Sequence, residues 1–144
     1  MASTSTVYDH ARYAFMNKKI DVAADTFKVL LVTSTYTPDF TNHKYLSDIT
    51  NEVSGNGYGR QTVSGVSLTE GVGKTTFKSS PVVFTASGGS IVARRAILFH
   101  DTGVAGTSEL LCAILMDSTP ADVTATSGGS ITITPDSTNG WLYD

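Results

Sequence analysis

Gly71-Val72-Gly73-Lys74-Thr75-Thr76 is the stretch on which the fold turns. Read one way, Gly73-Lys74-Thr75 is the core of a phosphate-cradling loop, and the chain would be an α/β nucleotide-binding protein. Read the other way, two glycines allow a tight bend between two strands, and the chain would be a β protein. A phosphate loop needs its first glycine six residues before the lysine, where this sequence has Leu68. It also needs a helix directly behind the lysine, so that helical N–H groups face the phosphates. The segment that follows, Thr75-Thr76-Phe77-Lys78-Ser79-Ser80-Pro81, is poor in helix formers and is stopped by proline. The spacing therefore predicts a hairpin joining Val66-Ser67-Leu68 to Thr75-Thr76-Phe77, and no nucleotide.

The rest of the chain fits that reading. About a quarter of its 144 residues are serine or threonine and 13 are glycine, a bias toward strands and turns. Thr26 to Thr33 is apolar and β-branched enough for a central strand. Further short strands are expected at 60–63, 66–68, 74–78, 82–85, 91–100, 109–117, 131–134 and 141–143, separated by Gly, Ser, Asp and Pro clusters. This spacing predicts a mostly β chain, an antiparallel sandwich or jelly-roll-like barrel, in a single domain over 1–144. One short helix is expected at its start, where Tyr8, Ala11, Ala14 and Phe15 repeat on one helical face. Residues 1–7 have little to bury and read as a flexible arm. Residues 35–50 form a long connection with a helical turn near His43 to Leu46. Ser87-Gly88-Gly89-Ser90 recurs as Ser127-Gly128-Gly129-Ser130, each copy before an apolar strand, and reads as a repeated turn.

Composition also narrows the function. Charged residues are 16 % of the chain and the net charge is −3, so there is no basic face to neutralise nucleic acid. No apolar run approaches a bilayer span and no export signal is read at the N-terminus, so neither a membrane nor secretion is expected. The single cysteine, Cys112, lies in an apolar run and reads as a buried small hydrophobe. His10, His43 and His100 lack metal-ligand spacing, and no serine occupies a nucleophile elbow; no cofactor, metal or catalytic residue is expected.

Two features ask for more. Asp101-Thr102-Gly103 follows an apolar strand, as the carboxylate of a dimeric aspartic protease does. That reading needs an apolar residue where this chain has His100, and a second apolar-apolar-glycine element that it lacks, so the triplet reads as a loop. Arg94-Arg95 interrupts an apolar run: either a strand starts after Arg95, or one guanidinium finds a carboxylate within the fold or across a subunit boundary.

Taken in order, Tyr8-Asp9-His10-Ala11-Arg12, Ala24 to Val32, Tyr36-Thr37, His43 to Ile49, Gly57-Tyr58-Gly59-Arg60-Gln61 and Ala96 to Gly103 resemble small virion structural proteins of tailed bacteriophages. The resemblance covers about residues 8 to 116. It implies a non-enzymatic decoration or cement protein on the capsid surface, assembled in the host cytoplasm. Its partners would be the major capsid protein and further copies of itself, as a dimer or trimer. A tail or baseplate module is the alternative, and an aspartic protease using Asp101 the remote one. Candidate contacts are Ser3, Thr4 and Val7 on the arm, and Tyr36, Phe40, Tyr45 and Tyr58 on the long connection. Arg60, Arg94 and the aromatic end, Trp141 and Tyr143, complete the set.

Overall fold

The computed structural model describes residues 4–117, 119, 121–136 and 140–143. The first half of the chain holds β1 (Thr4–Val7), α1 (Asp9–Met16), β2 (Phe27–Val32), β3 (Gln61–Thr62), β4 (Ser67–Gly71) and β5 (Lys74–Lys78). The second half holds β6 (Val82–Thr85), β7 (Ile91–Ala93), β8 (Arg95–His100), β9 (Leu110–Leu115), β10 (Val123–Ala125), β11 (Ser130–Ile133) and β12 (Leu142–Tyr143). A single 3-10 turn, Leu46–Asp48, lies in the long connection, slightly later than expected. The fold is mostly β, built from antiparallel sheets with one short helix, and it closes no barrel among the described residues.

The opening stretch is a hairpin. β4 and β5 pair from Ser67↔Lys78 to Gly71↔Lys74, with Val72 and Gly73 making the bend. Gly73 has φ +74, a left-handed value that costs glycine little. A strand, rather than a helix, follows Lys74, so no helical N–H groups gather there.

The largest sheet has strand order β1-β9-β8-β2-β3. Its central strands bury both faces, which is why Val29-Leu30-Leu31-Val32 and Ala96-Ile97-Leu98-Phe99 read as apolar runs and do not alternate. One face carries Phe27, Val29, Leu31, Leu98, Cys112 and Ile114 into the main core, against β5, β6, β7 and β11. Phe27 meets Phe77 of β5 edge to face at 5.1 Å, which ties the two layers together. The other face carries Leu30, Val32, Ile97, Phe99 and Leu110 into a second core, roofed by Tyr8, Tyr36 and Leu46. Each large apolar side chain so buried contributes about 1.5–3 kcal/mol before chain entropy is counted. The register of β8 and β9 slips between Leu98 and Phe99, which face Cys112 and Leu110 and leave Leu111 as the extra residue of a bulge.

The repeated Ser-Gly-Gly-Ser turns lie side by side. β6 pairs with β11 and β7 with β10, so 82–93 and 123–133 run as one two-stranded ribbon that bends at both turns. Gly88 and Gly128 take φ +71 and +86 at that corner, and Ala86 bridges the strands by donating to Gly129 O and accepting from Gly128 N.

Three expectations are corrected. Residues 4–7 of the supposed arm are strand β1, paired with β9 from Thr4↔Leu115 to Val7↔Cys112; an edge strand needs one partner and little apolar surface, so its sequence hides it. The single strand expected over 91–100 is two strands, because the chain leaves one sheet at Ala93 and enters another at Arg95, while the carboxylate expected for one of the two arginines is found within the fold. Both arginines sit at that crossing, Arg94 on the Asp122 carboxylate at 2.8 Å and Arg95 on the Tyr36 carbonyl at 3.2 Å. Strand β10 was not foreseen, since Val123-Thr124-Ala125 is too short to show a period.

Candidate functional site

A groove of about 970 Å³, lined largely by apolar side chains, lies between α1, the loop after it and the β4–β5 hairpin. Helix α1 turns Ala11 and Ala14 inward and leaves Met16 almost wholly exposed at its end. The helix stops because Asn17 leaves helical geometry and Lys18 takes φ +57, which turns the chain under the hairpin. Phe15, Met16 and Val22 supply one wall; Val66, Ser67 and Leu68 supply the other, with Leu68 half exposed. The charges on this lining are Arg12, Lys18 and Asp21. Arg12 lies 3.5 Å from Asp9, and the Asp21 carboxylate accepts the Ala23 N–H at 3.0 Å. Above the groove the hairpin stands clear of the protein: all five residues of β4 are exposed, and so is Val72 at its tip.

Two polar clusters elsewhere, around His100 and around Asp101, are held by partners within the chain. His100 is buried, with Nδ1 2.7 Å from Glu109 Oε2 and Nε2 3.2 Å from Asp25 Oδ2. Both ring nitrogens are thus taken up by carboxylates of the same chain. Asp101 lies 2.8 Å from Lys28 Nζ and accepts the Gly103 N–H at 3.0 Å. The Lys28 ammonium, followed by that N–H, holds the Asp101 carboxyl below the ordinary range, so it stays ionised. A protease dyad requires a carboxylate that shares one proton with a twin, and an ion-paired Asp101 is unsuited to that. Cys112 is wholly buried and its thiol is pushed up to about 12 by desolvation, which leaves it unreactive. No group of three or more potential metal ligands occurs among the described residues. No helix among them is long and apolar enough to cross a membrane.

The sequence-derived contacts are scattered over the fold. Ser3 lies outside the described residues, and Thr4 and Tyr143 are strand residues paired with Leu115 and Thr76. Tyr36 and Trp141 are corrected, because both side chains are buried. The Tyr36 hydroxyl lies 2.9 Å from both the Tyr8 hydroxyl and His43 Nδ1, and Trp141 Nε1 donates to Ser79 Oγ at 2.6 Å. Burial drives the Tyr8 and Tyr36 phenols upward in pKa, so both remain neutral donors. Phe40 packs on Tyr8 at 4.9 Å and Tyr45 on His10 at 5.0 Å, so the long connection is mostly a roof over the second core.

Tyr58 and Arg60 serve each other through Glu52. Tyr58 Oη donates at 2.6 Å, and Arg60 Nε and Nη2 donate at 2.9 and 2.7 Å. Burial alone would raise the Glu52 pKa, but these hydrogen bonds outweigh it and hold it below the usual value. Of the whole set only Val7, half-buried, lines the groove. The sequence signal for the groove was present but unweighed: Met16 falls off the buried face of α1, and Leu68 is apolar in a strand with no apolar neighbour at 67, 69 or 70.

Comparison with protein-family models, with curated proteins and with solved structures finds no match to this chain.

Proposed function

We propose that this protein is a structural component of a tailed-phage particle, a decoration or cement subunit that adheres to the outer face of the major capsid protein. The observation that carries the reading is the contrast between polar groups used up internally and the surface left for contact. His100, Glu109 and Asp101 are tied to partners within the chain, whereas the groove and the β4 edge offer apolar surface and strand edge outward. Adhesion uses outward apolar surface and strand edge, whereas acid–base catalysis needs a titratable atom open to substrate, and both ring nitrogens of His100 face carboxylates of the chain. A subunit repeated on a symmetric shell touches several neighbours at once, so modest contacts of this kind suffice by avidity. The resemblance of residues 8 to 116 to small virion proteins points the same way.

Immunogold labelling of intact particles tests the proposal. Label over the whole head is the expected result, and label confined to the tail would replace the decoration role with a tail or baseplate module. Casein cleavage that disappears in Asp101→Asn would overturn the non-enzymatic reading.

A further inference from the structure

We infer that β4 is the interface between two copies of this chain, joined edge to edge about a two-fold axis through Thr69. An exposed strand edge is a template for another strand, and proteins that keep such edges single protect them with charges, lysine above all, with proline or with a bulge; β4 has one charge, Glu70, for which the pairing below supplies a counter-charge. Ser67-Leu68-Thr69-Glu70-Gly71 contains no lysine or proline, and its register with β5 runs without a shift. No strand among the described residues pairs with the other side of β4, since the order of its sheet is β12-β5-β4. The occupant is a second copy because the strand and groove complement each other through a two-fold.

Antiparallel pairing of β4 with itself places residue i opposite 138 − i when Thr69 is central, the one register that pairs all five residues. Thr69 then faces the partner's Thr69, and Glu70 faces the partner's Leu68. Val72, the most exposed large apolar residue among those described, arrives beside the partner's Val66. Val66 and Leu68 are groove residues, so each hairpin tip is delivered to the other copy's groove.

Side-chain direction agrees. In β4–β5, Leu68 pairs with Phe77 and Glu70 with Thr75, which puts Leu68 and Glu70 on the face shared by groove-lining Thr75. Across a two-fold perpendicular to the sheet, Glu70 enters the partner's groove on the side that carries Arg12 and Lys18. Arg12 is paired with Asp9 at 3.5 Å, so Lys18 is the counter-charge proposed for Glu70, beside Asp21, whose carboxylate accepts the Ala23 N–H. The tip thus brings an apolar knob to an apolar floor and a carboxylate to the rim that carries Lys18. A six-stranded sheet results, with both helices on one side.

The full-length protein tests this in free solution, without any capsid, so failure to bind particles leaves the dimer test unaffected. Residues facing each other across an antiparallel pair have Cα atoms about 4.5–5.5 Å apart, within disulfide range. Thr69→Cys under mild oxidation with oxidised glutathione is therefore expected to give a species of twice the chain mass. Thr62→Cys, on the edge strand β3 of the other sheet, is expected to give none; native Cys112 is buried and does not compete. Light scattering of the wild type is expected to move from one-chain to two-chain mass as concentration rises. Glu70→Lys should weaken that association by about tenfold or more, and adding Lys18→Glu should restore it. A wild type that stays at one-chain mass, with Thr69→Cys cross-linking no faster than Thr62→Cys, overturns the interface and leaves the groove to a capsid partner. A three-chain mass overturns it equally, because an edge closed by a two-fold cannot make a trimer.

Discussion

The chain contains two antiparallel pairs of consecutive strands that could hardly differ more. β8 and β9 are buried on both faces, joined by a loop that carries Asp101, and sit at the centre of the largest sheet. β4 and β5 have the same backbone pairing, but β4 is exposed from end to end. Hydrogen bonding between strands is common to both, so it cannot be what separates core from surface. The side chains decide: Ala96-Ile97-Leu98-Phe99 gains on both faces of a sheet, while Ser67-Leu68-Thr69-Glu70 has one apolar residue to place. A pair of the first kind stabilises the monomer. A pair of the second kind is held up by the sandwich and is open to another molecule.

Substitutions on the two sides should separate cleanly. Trp141→Ala, which empties a wholly buried site in the main core, is expected to cost about 3–5 kcal/mol in denaturant unfolding. A loss under about 1 kcal/mol would mean that the indole is not closing the core. Glu109→Ala, at the head of β9, leaves the buried His100 without its closer carboxylate and should cost about 3 kcal/mol.

Glu52 sharpens the comparison by pH. Its folded pKa lies below the unfolded value of about 4.3, so its contribution is complete above that pH and is lost as pH falls through the lower folded value. The stability gap between wild type and Glu52→Gln should therefore be full near neutrality and shrink below about pH 4. A gap independent of pH would show that the carboxylate's charge is not what Arg60 and Tyr58 reward. Smallest of all, Val72→Ala at the hairpin tip should shift the stability of the single chain, measured below the concentration of association, by less than about 0.5 kcal/mol. In the single chain, at concentrations below association, amide exchange should likewise be fast along β4 and slowest in β8 and β9.

Much of the contrast was readable in the sequence. Apolar runs placed β2, β8 and β9, and the missing glycine at Leu68 with the proline at 81 turned Gly73-Lys74-Thr75 into a bend. Two strands escaped: Thr4 to Val7 and Val123 to Ala125 are short and mostly small or polar, so their pairing is decided by residues far along the chain. The contact residues were less legible for a related reason. Aromatic and charged side chains in a loop look available in sequence, yet Tyr36 roofs a core and Tyr58 and Arg60 are spent on Glu52. The groove needs α1 and β4 together, and nothing in either segment alone announces the other.

The pairing of β1 with β9 has a consequence during synthesis. Thr4 leaves the ribosome long before Leu115, its register partner, is translated. At about 5–20 residues per second the first strand waits roughly 5 to 20 s with its hydrogen-bonding groups unpaired. The β4–β5 hairpin, made of neighbours in sequence, closes within microseconds of emerging. The nascent chain thus displays its most association-prone edge well before its core can close, and slow translation or crowded polysomes would favour premature contact between chains.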